Sequence, residues 1–344
     1  MRKITIDQKI IQLAENYQKE LLYTYPTKDR VSRSTMELEK LKDRITKKEL
    51  CLAKGDPKPL SEYIDKMIRH YQFLLVAQPR HYKKIIGFFE KTIQADDISS
   101  LTLKSPKGNL LFYEEIVRCM RYDYVQRKVF PSYIRALSLK TCVYCNSQHA
   151  ITTKNNITTY ELDHCWPKSK HPYLCTNFFN LQPCCGCCNK HKSSTTFETK
   201  HYNLSIWKTP NDKDDKLFGY KINDNSLAQF LLDHKQESLS IEFDKTQTGD
   251  AEYESLIEAI KQKLHIEELY KEHKDIAEEV VWKATSYSPS YLASLRKAFA
   301  QKYDETPENW ARLLLGTYTS TNESYKRPLA ELIQDIARQL HIPL

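Results

Sequence analysis

Two cysteine groups, Cys142-Val143-Tyr144-Cys145 and the run Cys184-Cys185-Gly186-Cys187-Cys188, stand roughly 40 residues apart in this chain. A C-x-x-C knuckle followed at a distance by a second one has the ligand spacing of a tetrahedral thiolate site for zinc. Such a site joins segments whose small intervening core could hardly hold them together, so the fold between the two groups has to bring them to one point. Four cysteines close the coordination sphere and leave no position for substrate, which makes the zinc structural. Within the run the second pair is either Cys184 with Cys187 or Cys185 with Cys188.

The remaining composition says how such a site would be housed. Apolar residues make up 40% of the 344 and charged ones 28%, as in a folded globular chain. The net charge of +8 permits a polyanionic partner without requiring one. At the start, MRKITIDQKIIQLAENYQKELL has charges interrupting every apolar run, so no signal peptide is expected there, and no segment has the length of a membrane span. A cytoplasmic protein with no membrane partner is the expectation. In that reducing compartment ten cysteines point to metal or catalysis rather than disulfides, with the isolated Cys51 and Cys119 as buried thiols.

Only seven glycines occur, which favours long helices over tight turns. Apolar residues recur at three- and four-residue spacing over 6–22, 34–53, 59–77 and 108–130, the last ending at Pro131. Residues 1–135 are therefore predicted as a helical N-terminal region. From Lys140 the texture changes: HAITT (149–153) and TYELDHC (159–165) read as a hairpin with KNN as its turn. A loop, KSKHPYLCTNFF, leads to the cysteine run, which opens a short helix. Residues 136–207 form this central module. Beyond it NDKDDK (211–216) reads as an exposed link and LSIEFDKTQTGD (239–250) as a strand and turn. Helices are predicted over about 252–283, 289–303, 307–316 and 328–340, with Tyr270, Trp282 and Tyr291 in their core. Residues 208–344 are thus a second, mostly helical region, and the whole is a mostly helical α+β chain.

Asp163 and His164 close the second predicted strand just before Pro167, and Asn189 directly follows Cys188. A carboxylate and an amide oxygen are hard ligands suited to Mg²⁺, which binds through one or two protein groups and substrate phosphate. An adjacent histidine can take a proton from water. Together these are the components of metal-assisted phosphodiester hydrolysis.

In this order the residues resemble the HNH endonucleases of the ββα-metal type that carry a four-cysteine zinc site. The resemblance rests on Cys142 and Cys145, on Asp163-His164 with Pro167, on Asn180-Leu181, and on the stretch from Cys185 to Lys192. It covers about 60 residues and leaves both helical regions outside it. It implies that Cys185 and Cys188, not Cys184 and Cys187, complete the zinc site with Cys142 and Cys145, because the family's metal-binding Asn or His follows the last zinc cysteine immediately. Cys165, Cys175, Cys184 and Cys187 are then packing residues.

The resemblance further implies that His164 is the general base, that Asp163 and Asn189 hold Mg²⁺ or Mn²⁺, and that Asn180 restrains the loop and orients the base. Many relatives place a His one helical turn beyond the Asn189 position; here Lys192 and Ser193 stand there, leaving a two-residue metal site. Lys168, Lys170 and Lys192 are read as phosphate contacts, and Glu161 as a carboxylate sharing a strand face with Asp163. The implied activity is endonucleolytic cleavage with DNA as substrate, leaving 5′-phosphate and 3′-hydroxyl ends. A resemblance to Septu-like and retron-associated HNH proteins adds an anti-phage defence role beside an ATPase partner. The competing expectation is a non-catalytic, zinc-stabilised nucleic-acid-binding module.

Overall fold

A computed structural model describes residues 1–23, 32–52, 56–106, 108–212, 216–247, 249–299 and 306–342. Across these residues helices dominate and strands are short, giving a mostly helical α+β chain. No described helix is long and apolar enough to cross a membrane.

The first predicted helices form as Gln8–Tyr23, Arg33–Thr46 and Lys58–Val76. Each buries one stripe, such as Leu38, Leu41 and Ile45 in the second and Leu60, Ile64, Met67 and Leu74 in the third. Ser32 caps the second helix, its side chain accepting from the Thr35 N–H at 3.2 Å. That helix stops short of its predicted end. Lys48 turns left-handed (φ 61°), and Cys51–Leu52 pairs antiparallel with Thr102–Ser105. Cys51 is consequently exposed, whereas Cys119 is buried as expected; Ala53 lies outside the described residues.

Thr102–Ser105 and Gly108–Leu111 complete this three-stranded sheet in a region whose periodicity had suggested only helix. Pro131 does not end the segment that follows. It sits second in the helix Phe130–Ala136, directly after a π-helical turn over Val125–Val129 that carries the helical path past it. In the C-terminal half the predicted 252–283 helix is three helices, Ala251–Leu264, Ile266–Lys271 and Lys274–Ser286, broken at the left-handed His265. Pro289–Phe299 and Pro307–Leu315 follow, and Ala330–Gln339 closes the series. Residues 213–215 of the predicted link, residue 248 and the stretch 300–303 of the predicted helix lie outside the described residues. Tyr270 is buried, but Trp282 and Tyr291 are exposed.

Two apolar clusters organise the chain, and both draw on more than one of the three regions expected from sequence. One unites Ile10, Tyr17 and Phe130 with all four cysteines of the two pairs and with C-terminal residues such as Tyr220, Ile257 and Ile336. The other packs Tyr63, Met67, Phe89 and Ile116 around Trp166, Tyr173, Leu174 and Cys175. The strand 161–164 therefore lies in the first cluster while the loop leaving it is anchored in the second. A buried ion pair ties the ends of the first cluster: the Arg2 guanidinium meets Asp335, whose other oxygen accepts from the Tyr220 N–H at 3.1 Å. Gly219 passes so close to Asp335 and Lys216 that a Cβ there would collide with both.

Candidate functional site

The strand Glu161–His164 pairs antiparallel with Leu181–Cys184, which runs straight into the helix Gly186–Lys192. This strand–strand–helix unit differs from the predicted hairpin. HAITT and the residues after KNN do meet, around the bridge Thr152↔Thr158 and through the Thr153 N–H on the Ile157 carbonyl and the Thr159 N–H on the Ile151 carbonyl, with Asn156 left-handed at the turn, but the pairing is too short to make the main strands of the unit. The main partner, Leu-Gln-Pro-Cys, is buried on both faces and so lacks the alternation that marks a half-buried strand. Pro183 also argues against a central strand, yet it is tolerated because this two-stranded sheet leaves each strand an open edge.

The knuckle Cys142–Cys145 is a tight turn closed by the Asn146 N–H on the Cys142 carbonyl at 2.9 Å, with Asn146 left-handed. Cys185 caps the short helix, its sulfur accepting from the Cys188 N–H at 3.4 Å. These local geometries bring the four sulfurs of Cys142, Cys145, Cys185 and Cys188 within 4.8 Å of one another in a buried cluster that could hold a structural metal such as zinc. Tetrahedral bonds of about 2.3 Å put ligand sulfurs ~3.8 Å apart, within reach of this arrangement. Sulfhydryls of Cys142, Cys185 and Cys188 directed at Cys145 hold its thiol well below the usual range, so one position already favours the thiolate a metal needs. Cys184 is turned away toward the Glu161 carbonyl, and burial pushes its thiol up; Cys187 is exposed beside His191.

The cysteine cluster reaches the carboxylate through Tyr144, inside the knuckle, whose hydroxyl donates to Asp163 Oδ2 at 2.5 Å. Gln182, opposite Asp163 in the strand register, donates to the same hydroxyl at 3.0 Å. Asp163 is only 6% exposed, and Lys192 is wholly buried. The Lys192 ammonium stands 3.0 Å from Asp163 Oδ2 and donates to the His164 carbonyl at 2.8 Å. Lys192 is therefore spent inside the unit, and the phosphate contact expected of it from sequence is not available. A buried carboxylate without a partner would be costly, and Lys192 supplies that partner from one helix length away. Asn189, on the same helix, turns its amide N–H₂ to the exposed Glu161 carboxylate.

His164 points to the other face. Its Nε2 lies 2.9 Å from the Cys175 carbonyl and its ring packs 4.7 Å from that of Tyr122. A carbonyl only accepts, so Nε2 carries the proton and Nδ1 keeps the lone pair. Burial, and behind it the Lys168 ammonium, lowers the pKa to about 3 and keeps the ring neutral. Lys168 sits over the Tyr122 ring at 4.5 Å, and Lys170 pairs with Asp96 at 2.6 Å, so both remain at the surface near the loop. Among the described residues no hydrogen bond joins the Asn180 side chain to His164. Its amide accepts from the Trp166 N–H at 2.8 Å and donates to the Trp166 and Leu174 carbonyls, pinning the loop that presents the Cys175 carbonyl to His164. Asn177 instead ties the loop to the Leu74 and Ala77 carbonyls of the N-terminal helices.

Tyr144, Gln182 and Tyr122 were not singled out from sequence. Gln182 could have been found by pairing the strands, since it faces Asp163; nothing local marks Tyr122. The same loop holds a titrating group. Burial, and next the Lys170 ammonium, lowers the His171 pKa from 6.5 to about 4. The unfolded chain then binds the proton more readily, so stability present above about pH 6.5 is lost as pH falls through about 4, at most about 3 kcal/mol. We expect the thermal midpoint to drop over that interval and to drop less steeply in His171→Gln, as read by circular dichroism. His164 acts in the same direction.

No protein-family model, no curated protein and no solved structure matches this chain.

Proposed function

We propose that this chain is a metal-dependent endonuclease of the HNH type, hydrolysing phosphodiester bonds in DNA. The observation that carries the reading is the strand–strand–helix unit closed by the four-cysteine cluster, in which one short helix addresses both Asp163 and Glu161 while His164 ends the strand between two anchored loops. Zn²⁺ is the metal assigned to Cys142, Cys145, Cys185 and Cys188.

For the second metal the donors fit in kind. Asp163 Oδ1 has no protein partner among the described residues, and Asn189 adds an amide oxygen, both hard donors suited to Mg²⁺ or Mn²⁺. A divalent ion there would supply positive charge to the phosphate and to the leaving oxygen. His164 Nδ1 is the ring nitrogen left to accept a proton from water while Nε2 stays fixed on the Cys175 carbonyl; burial holds the ring's pKa near about 3 in the free protein, so the base role requires the anionic phosphate of bound substrate to raise it. Asn180 positions that carbonyl through the loop, and Tyr144 fixes the Asp163 carboxylate. Lys168 and Lys170, at the loop surface, are the phosphate contacts.

A second reading draws on the Lys192–Asp163 pair: a carboxylate already neutralised by a buried ammonium suits a zinc-stabilised nucleic-acid-binding module without catalysis. The two are separated by incubating purified protein with plasmid, single-stranded DNA and RNA, with and without Mg²⁺ or Mn²⁺. Cleavage of DNA that requires the divalent ion and disappears in Asp163→Ala is the expected result. Tight binding with no cleavage under any of these conditions would favour the module.

A further inference from the structure

One cavity beside this unit does not include His164 in its wall. It has a volume of about 560 Å³ and opens where the N-terminal helices, the segment 198–212 and the start of the chain meet. That size falls in the range of small-ligand sites. Trp166, whose backbone Asn180 grips from both sides two residues beyond His164, forms part of its wall.

The charge around it is uneven. Among the described lining residues Lys3, Arg80, Lys83, Lys200, Lys208 and Lys216 face only two carboxylates, Glu198 and Asp212. The excess of four cations compares with +8 for the whole chain. Not all six are available: Lys216 is engaged by Asp244 at 2.9 Å, and Lys3 donates to the Asn203 and Ser205 carbonyls. The remaining basic residues differ. Arg80 and Lys200 have no ion-pair partner among the described residues, and Lys83 donates to the Lys200 carbonyl while feeling Glu198 only at longer range. Arg80 also helps to lower the pKa of neighbouring His81, although burial is the larger cause. The lining adds a buried donor without a partner among the described residues, the indole N–H of Trp207.

Cations in excess over carboxylates at a concave wall repel one another, and the arrangement is relieved by an anion with several acceptor oxygens. We infer that this cavity binds the phosphate of a nucleotide, free or as part of a nucleic-acid strand, with Arg80, Lys83 and Lys200 as its contacts. The inference stands apart from the nuclease reading, since binding here needs neither His164 nor a divalent ion.

The test uses the full chain and the triple variant Arg80→Ala/Lys83→Ala/Lys200→Ala, whose three side chains are exposed, so that the fold is kept. Unchanged thermal midpoint and metal content verify this. Two probes are titrated by fluorescence anisotropy over a series of salt concentrations: a dye-labelled adenosine monophosphate and a labelled single-stranded oligonucleotide. For the oligonucleotide we expect at least tenfold weaker binding in the variant. The slope of log K against log salt should fall by about 2, because three phosphate contacts on a single strand each contribute about 0.7. Loss of both probes identifies the free nucleotide as sufficient; loss of the oligonucleotide alone identifies the strand as the source. Binding of both probes at wild-type strength and slope by the variant, or no binding of either by the wild type, overturns the inference. His164→Ala, tested in parallel, separates this result from any failure of cleavage.

Discussion

Cys185→Ser and Cys188→Ser are expected to strip bound zinc from the protein and to unfold the strand–strand–helix unit, while Cys184→Ser and Cys187→Ser retain stoichiometric metal. The difference follows from where the sulfurs lie. Cys185 and Cys188 share one buried point with Cys142 and Cys145, whereas Cys184 faces the Glu161 carbonyl and Cys187 faces solvent. Binding free energy at a structural thiolate site, on the order of 10 kcal/mol, is folding free energy, so losing one ligand costs several kcal/mol. The cost should spread beyond the unit. Tyr144 and Tyr270 both hydrogen-bond within or against the knuckle, the latter to the Cys145 carbonyl at 2.5 Å, and link it to Asp163 and to the C-terminal helices. Zinc content by atomic spectroscopy and thermal melting of the four variants decide the matter. Loss of metal in Cys184→Ser and Cys187→Ser with retention in the other two would reverse the assignment.

Spacing alone left that register open, since both pairs are C-x-x-C, and the choice of Cys185 with Cys188 came from the resemblance; the knuckle turn and the helix cap, each needing only a few adjacent residues, bring those two sulfurs to Cys142 and Cys145. The paucity of glycine, by contrast, announced a helical chain. What the sequence hid depends on residues far apart. Leu181–Cys184 is a strand because Glu161–His164 lies beside it, and four consecutive buried positions give no period from which to infer that. Ile4–Thr5 pairs in parallel with Trp207–Lys208 across some two hundred residues, with two residues on each side, which no local pattern can signal.

Lys192 is the sharpest case. A lysine in a basic helix end reads as a solvent-facing charge, and only the tertiary fold turns it inward to meet the Asp163 carboxylate and the His164 carbonyl. Lysine can accept that place because its long stem crosses the apolar layer before the ammonium is paired. Asn180 was legible as a loop restraint, but not the route by which it acts, through Trp166 and Leu174 rather than by a hydrogen bond to His164.

His164→Ala is expected to lower cleavage by about two to four orders of magnitude, the usual contribution of a general base, with zinc content and nucleic-acid binding unchanged. The ring is buried between Tyr122 and the Cys175 carbonyl, so truncation also leaves a void and some loss of stability. His164→Asn serves as the companion variant, because its amide can still donate to that carbonyl while offering no basic nitrogen. Both should be inactive at a temperature where both remain folded. Asn180→Ala should retain more activity than either, since it holds the loop and transfers no proton, and its defect should include a lower melting temperature from the loss of three hydrogen bonds to Trp166 and Leu174. Asp163→Ala is a different experiment: it frees Lys192 as an unpaired buried ammonium, so its cleavage defect must be read beside its stability and against Asp163→Asn, which keeps an oxygen for the ammonium. Cleavage at wild-type rate by folded His164→Ala and His164→Asn proteins would remove His164 from the chemistry and, with it, the assignment of this strand end as a nuclease site.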